Sequence, residues 1–177
     1  MSVERIDNPF QGSGTYGHEF RYHLAKGFVR HRLDVVLDAA CGSGYGYKIM
    51  RPHEYIGVDR VYPTFCPASC AIKADLQTWE PERPFDVAIG FETLEHLGYF
   101  DHYVEVLKSA FCWILVSVPI VPTVGTNEFH VHDFKQGDLQ LLFEDKDWET
   151  YQVLYQPAEN SEIAVFKRRG EWGRYAP

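Results

Sequence analysis

Five short apolar runs rich in β-branched residues divide the first two-thirds of the chain: Asp34–Asp38, Glu54–Asp59, Ala71–Asp75, Phe85–Phe91 and Phe111–Pro119. Each ends at or runs into a turn-forming or acidic residue. None shows in/out alternation, so each reads as a strand covered on both faces. Helical spacing lies between or before some of the strands. Phe20, Leu24 and Phe28 recur every four residues within Gly17–Arg30, and Tyr103, Val106, Leu107 and Ala110 share a face of Tyr99–Ala110. Leu139, Leu142 and Phe143 do the same within Lys135–Glu144. Two more strands, Tyr151–Gln156 and Ile163–Lys167, are joined by Pro-Ala-Glu-Asn-Ser, which predicts an antiparallel hairpin. Strands alternating with helices and closing on a hairpin predict an α/β three-layer domain with a mostly parallel sheet. Between Asp59 and Ala71 the connection is short, and Pro63 and Pro67 forbid an ordinary helix, so a loop or one helical turn is expected there.

The 177 residues suit one domain with a sizeable core, without repeats or an internal linker. Residues 1–33 form a cap region containing the first helix, and 168–177 read as a tail. The 12 Phe, 11 Tyr and 4 Trp exclude a disordered chain. No apolar run has the roughly 18 residues of a membrane helix, and the N-terminus lacks a signal-like apolar stretch. With Cys41, Cys66, Cys70 and Cys112 read as reduced thiols, a cytoplasmic location is expected. The net charge of −8 is uneven: residues 1–33 carry +2 and residues 163–177 carry +3, leaving −13 for the middle. Such a body does not hold extended duplex nucleic acid by neutralising phosphates.

Candidate chemistry sits after the first strand. Val35–Gly46 runs from a strand into a turn with glycines at 42, 44 and 46, where the backbone turns sharply and a ligand approaches where a Cβ would clash. Asp38 lies four residues before Gly42, and Asp59 closes the second strand, where a carboxylate accepts hydrogen bonds from a ribose diol. The absence of a Gly-Lys-Ser/Thr sequence argues against a phosphate-binding loop.

These residues resemble the class I S-adenosylmethionine-dependent methyltransferases. D-x-x-x-G-x-G (Asp38–Gly44) is similar to their first motif, G-V-D (Gly57–Asp59) to their second and Ala74–Leu76 to the third-strand motif. Phe85–Val87 followed by Phe91–Leu97 is similar to the fourth. The match is nearest to a small-molecule and sugar branch reading FETxEHL and NxxHVHEF, the latter position reading Asn-Glu-Phe-His-Val-His-Asp-Phe here at Asn127–Phe134. The resemblance covers about residues 18–144 and implies a Rossmann-like seven-stranded sheet of order 3-2-1-4-5-7-6, with S-adenosylmethionine as cofactor and S-adenosylhomocysteine as product.

It also implies roles. Ala40, Gly42 and Gly44 pass under the methionine part of the cofactor, Asp38 helps to hold its amino group, and Asp59 with Arg60 meets the ribose. Asp75 and Leu76 meet the adenine, while Phe91 and Glu92 follow the fourth strand at the cofactor. Two readings of Arg21 stay open, a partner for the cofactor carboxylate or a surface helix residue. The 60–70 connector departs from the family, and Tyr62, Phe65 and Cys66 are expected to supply the apolar wall that a helix gives in relatives.

A hydroxyl acceptor needs a base near neutral pH, and Glu95, His96 and His130 are the candidates. His132 should face away from His130 by alternation. His18, His23, His31, His53 and His102 read as surface or packing residues. The acceptor expected is a hydroxyl or amine on a small molecule, sugar or nucleotide-like compound. A second reading notes that Glu92, Glu95, His96 and a later His resemble the E-x-x-E-H…H metal site of small-RNA 3′-terminal 2′-O-methyltransferases. A divalent metal there is the less favoured reading. A third is a non-catalytic cofactor-binding regulator. Cys66 and Cys70 lack the second ligand pair of a structural zinc site. Lys167–Arg174 is read as a tail rather than a nucleic-acid contact, and a homodimer is allowed for.

Overall fold

The computed structural model describes residues 15–170. The first 14 residues of the cap region, and the tail from residue 171 with Trp172 and Arg174, lie outside them. In chain order the elements are α1 (Thr15–Lys26), β1 (Val35–Ala39), α2 (Gly46–Met50), β2 (Glu54–Asp59) and β3 (Ala71–Lys73). Then come β4 (Val87–Phe91), α3 (Asp101–Lys108), β5 (Trp113–Pro119), α4 (Asp138–Phe143), β6 (Trp148–Gln156) and β7 (Ser161–Arg168). The seven strands form one sheet in the order β3-β2-β1-β4-β5-β7-β6, as expected. The first four pairings are parallel, and β7 runs antiparallel to both β5 and β6.

The unbroken apolar runs are explained by two cores, one on each face. Leu37 and Ala39 of β1 and Ile114, Val116 and Val118 of β5 pack with Tyr103 and Leu107 of α3 and with Leu139 and Phe143 of α4. Their neighbours Val36 and Leu115 turn to the opposite face, against Tyr22 and Ala25 of α1 and Ile49 and Met50 of α2. Every position of these strands therefore meets side chains, and alternation would bury charge.

The connector between β2 and β3 contains one 3₁₀ turn, Ala68–Cys70, within the expected loop or single turn. It braces the glycine turn: the Thr64 and Phe65 amides donate to the Ser43 carbonyl at 2.9 and 2.7 Å. Helix α2 was not foreseen. It is five residues long, and it ends at Arg51, which has φ +49°, just before Pro52. The strand β7 extends past the expected end to Arg168, and Arg169 pairs with Glu149 at 2.9 Å, so the tail starts later than residue 168. No helix among the described residues is long and apolar enough to cross a membrane.

Candidate functional site

A cavity of about 470 Å³ opens over the carboxyl ends of β1, β2 and β4, the crevice where open α/β sheets take ligands. One half is built from the strand ends. After β1 the chain turns through Ala40 at φ +70° and Gly42 at φ +57°, with the Ala40 and Cys41 amides donating to the Val58 carbonyl. Asp59 clamps this turn to β2. Its two oxygens accept from the Gly42 amide and the Val61 amide, both at 2.9 Å. A Cβ built on Gly42 would meet nothing within 4 Å, so the turn leaves open space for a ligand to lie against the backbone. Arg60, 3.8 Å from Asp75, and Leu76 complete this half.

Three residues expected at the cofactor do not line the cavity. The Asp38 carboxylate is buried behind it, accepting from Tyr22 Oη at 3.1 Å and from Tyr55 Oη. Burial is the main cause that pushes its pKa up to about 7; the two phenols act against it, and nearby Asp59 adds to it. Gly44, at φ +84°, faces the connector, and a Cβ there would fall 2.9 Å from Cys66 Sγ. Phe65 and Cys66 likewise pack beside the glycine turn, Tyr62 is exposed on the connector, and none of the three lines the cavity. Arg21 is fully buried, which removes its surface reading. Its Nη2 meets Glu92 Oε1 and Ser161 Oγ, each at 3.2 Å, while Nε and Nη1 have no acceptor among the described residues.

Glu92, immediately after β4, has φ +48°, an uncommon backbone for a side-chain-bearing residue, held here by its partners. Ser117 Oγ donates to its Oε1 at 2.8 Å and Ser161 Oγ to its Oε2 at 3.2 Å. Thus Arg21 from α1, Glu92 after β4, Ser117 in β5 and Ser161 in β7 tie the cap helix to the sheet beside the cavity.

The other half holds the candidate bases. Glu95 and His96 lie in a 3₁₀ turn, Leu94–His96, and the Glu95 carbonyl accepts from the Val131 amide at 2.8 Å, drawing the 121–134 loop over the cavity. His96 and His130 meet edge to face, centroids 4.6 Å apart. His96 Nδ1 lies 3.2 Å from the Phe129 carbonyl. A carbonyl only accepts, so Nδ1 carries the hydrogen of the neutral ring and the lone pair is on Nε2. Nε2 is 3.8 Å from Oε1 of the buried Glu95. His130 Nδ1 is 2.7 Å from Thr123 Oγ1, and Asp133 accepts from the Thr123 and Val124 amides, which hold its pKa below the usual carboxylate range. His132 turns away from His130 as expected and packs against Phe100.

Sequence reasoning missed His18 and Glu159, both lining the cavity. His18 is not a surface histidine: burial, with Arg21 nearby, lowers its pKa to about 3. Its position three residues before Arg21, on one face of α1, was the available signal. Glu159 lies in the β6–β7 turn, whose sequence carries no such signal. Asp59, Arg60, Asp75, Leu76, Ala40 and Gly42 are brought together on one side. Phe91, Glu92, Glu95, His96 and His130 are brought to the other.

Solved structures share this fold. The chain is similar to the Burkholderia thailandensis 1,6-didemethyltoxoflavin-N1-methyltransferase with bound 1,6-didemethyltoxoflavin and S-adenosylhomocysteine, at 16% identity and TM-score 0.63 over 93% of each chain. It is also similar to the N-methyltransferase NodS from Bradyrhizobium japonicum WM9 in complex with S-adenosylhomocysteine, at 14% identity and TM-score 0.63, covering 88% of this chain and 86% of that one. A third is the N-terminal domain of EvdMO1 in the presence of S-adenosylhomocysteine and D-fucose, at 13% identity and TM-score 0.58, covering 84% and 82%. No protein-family model matches the chain, and no curated protein matches it in sequence.

Proposed function

We propose that this protein is an S-adenosylmethionine-dependent methyltransferase acting on a hydroxyl or amine of a small molecule in the cytoplasm. The observation that carries the reading is the division of one cavity into two chemically different halves. An acid-clamped open turn at the ends of β1 and β2 faces two imidazoles and a buried carboxylate across it.

The residues fit the cofactor. The Gly42 turn leaves backbone-lined space, Asp59 is a carboxylate at the cavity that can accept from ribose hydroxyls, and Asp75 stands at the adenine end. Arg21, whose Nε and Nη1 have no acceptor among the described residues, supplies buried positive charge behind Glu92. When bound, S-adenosylmethionine supplies a methyl group already activated by its sulfonium. The chain's task is then alignment, about 3 Å from acceptor atom to methyl carbon, and removal of one proton. His96 Nε2 takes that proton, and the buried Glu95 carboxylate beside it stabilises the imidazolium that results. The Phe129 carbonyl holds the ring in the required tautomer.

One observation favours a second reading. Ligand atoms of Glu95, His96 and His130 lie within 4.8 Å of one another, a set that suits a divalent transition metal. Glu92 does not join them, because Arg21, Ser117 and Ser161 engage its carboxylate. A metal held there would orient an acceptor diol in a ribose 2′-O-methyltransferase.

Incubation with methyl-labelled S-adenosylmethionine and a small-molecule extract, with and without EDTA, tests both. Label transfer insensitive to EDTA is expected. Loss of transfer in EDTA, restored by Mn²⁺ or Mg²⁺, would establish the metal reading. Cofactor binding without transfer would identify a non-catalytic binding protein.

A further inference from the structure

Among the described residues, the half of the cavity assigned to the acceptor is lined by carboxylates and by no lysine or arginine. Glu92, Glu95 and Glu159 line it, and among the described lining residues the one long-chain cation, Arg60, sits at the other end beside Asp75. The Arg21 guanidinium behind this half is fully buried and already paired with Glu92. His18, also lining it, remains an uncharged ring near neutral pH.

Glu159 is placed there by a close approach. Its side chain lies across the backbone of Gly17 in the first turn of α1, where a Cβ would fall 2.5 Å from Glu159 Cδ. Gln156 Nε2 donates to the Gly17 carbonyl at 3.2 Å, and the Glu159 carbonyl lies 3.3 Å from Ser161 Oγ. The β6–β7 turn is thereby fastened to the cap helix, with a carboxylate at the mouth of the acceptor half. Glu92 has a fixed cationic partner and Glu95 lies at the floor beside His96, so Glu159 is the acid an incoming acceptor meets at the rim.

We propose that the acceptor is a neutral or cationic amine- or hydroxyl-bearing compound without phosphate or carboxylate, and that Glu159 is the residue that selects its charge. This rests on the methyltransferase reading above. In the transfer, the lone pair of the acceptor nitrogen or oxygen forms the new bond to the methyl carbon. The carbon–sulfur bond breaks with its electron pair going to sulfur, giving S-adenosylhomocysteine, and the acceptor's proton passes to His96 Nε2. A phosphate or carboxylate on the acceptor would face Glu95 and Glu159 with no lysine or arginine among the described lining residues to offset them, Glu92 alone being offset by Arg21. One such repulsion at about 6 Å and an effective dielectric of about 20 corresponds to roughly 100-fold in binding.

The test divides a small-molecule extract by ion exchange into anionic, neutral and cationic pools, each incubated with methyl-labelled S-adenosylmethionine and the full chain. Label is expected in the neutral and cationic pools, at least about tenfold above the anionic pool. In Glu159→Lys the ratio of cationic to neutral label should fall at least about tenfold, with Glu159→Gln intermediate. Melting temperature and S-adenosylhomocysteine affinity serve as controls for folding and for the donor half. Label concentrated in the anionic pool would overturn the proposal while leaving methyl transfer standing. An unchanged cationic-to-neutral ratio in a folded Glu159→Lys protein would overturn the assignment to Glu159. No label in any pool, with S-adenosylhomocysteine still bound, would overturn the transfer reading and this inference with it.

Discussion

Replacing Asp38 by Asn should flatten the dependence of stability on pH. Asp38 is buried at the end of β1 with a pKa raised from 3.8 to about 7, and Tyr22 and Tyr55 donate to its two oxygens. Between these two pKa values the folded state keeps a proton that the unfolded state has released. The folded state binds more protons, so stability falls as pH rises through that window. With these values, ionisation of this one group removes about 2–3 kcal/mol of stability between pH 5 and pH 8. His18 works in the opposite sense. Its pKa is lowered from 6.5 to about 3, so the unfolded state takes up the extra proton, and stability from this group is lost as pH falls below about 6.5. Comparing variant with parent cancels His18 and isolates Asp38. Asn fits the site: its oxygen accepts from one phenol, and its amide donates to the oxygen of the other. Urea unfolding of both proteins at pH 5, 6, 7 and 8 reads the effect. The variant should gain about 2–3 kcal/mol on the parent across the series, most of it below pH 7. Parallel stability curves would refute a buried, proton-holding Asp38.

Further outcomes follow from the site. Asp59→Ala removes the clamp on the Gly42 and Val61 amides and an acceptor for the ribose, so affinity for S-adenosylhomocysteine should fall ten- to a hundredfold by calorimetry, about 1.5–3 kcal/mol. His96→Gln should reduce turnover about a hundredfold or more while leaving cofactor affinity unchanged, and full activity in both His96→Gln and His130→Gln would remove the base assignment. Arg21→Ala should cost about 3 kcal/mol in urea unfolding, because Glu92 loses its buried partner, whereas Arg21→Met, which keeps the volume, should cost less. Equal stability of Arg21→Ala and the parent would contradict the pairing.

Much of the fold was legible because the strands are covered on both faces. Glu54–Asp59 matches β2 in full, and the hairpin is where the Pro-Ala-Glu-Asn-Ser turn placed it. Local pattern failed where an element is too short to show a period. Helix α2 has five residues, and its burial of Ile49 and Met50 depends on Tyr22 and Tyr55 from elsewhere in the chain. Strand ends shifted inward at β3, β4 and β5 and outward at β6 and β7. Pairing partners set those ends, not the composition of each run. In the site, motif spacing located the strand-end residues Gly42, Asp59 and Asp75. It could not show that Asp38 is occupied by two tyrosines 16 and 17 residues away, or that Arg21 is buried against Glu92 and Ser161. Glu159 was invisible for the same reason: its place at the cavity follows from contact with Gly17, 142 residues earlier.

Titration of the purified protein with S-adenosylhomocysteine in a calorimeter tests the central claim most directly. A single saturable site with micromolar or tighter affinity, weakened ten- to a hundredfold by Asp59→Ala, is the predicted result. No binding heat across a range of temperatures, with the folded protein in the cell, would contradict the assignment of this cavity to the cofactor.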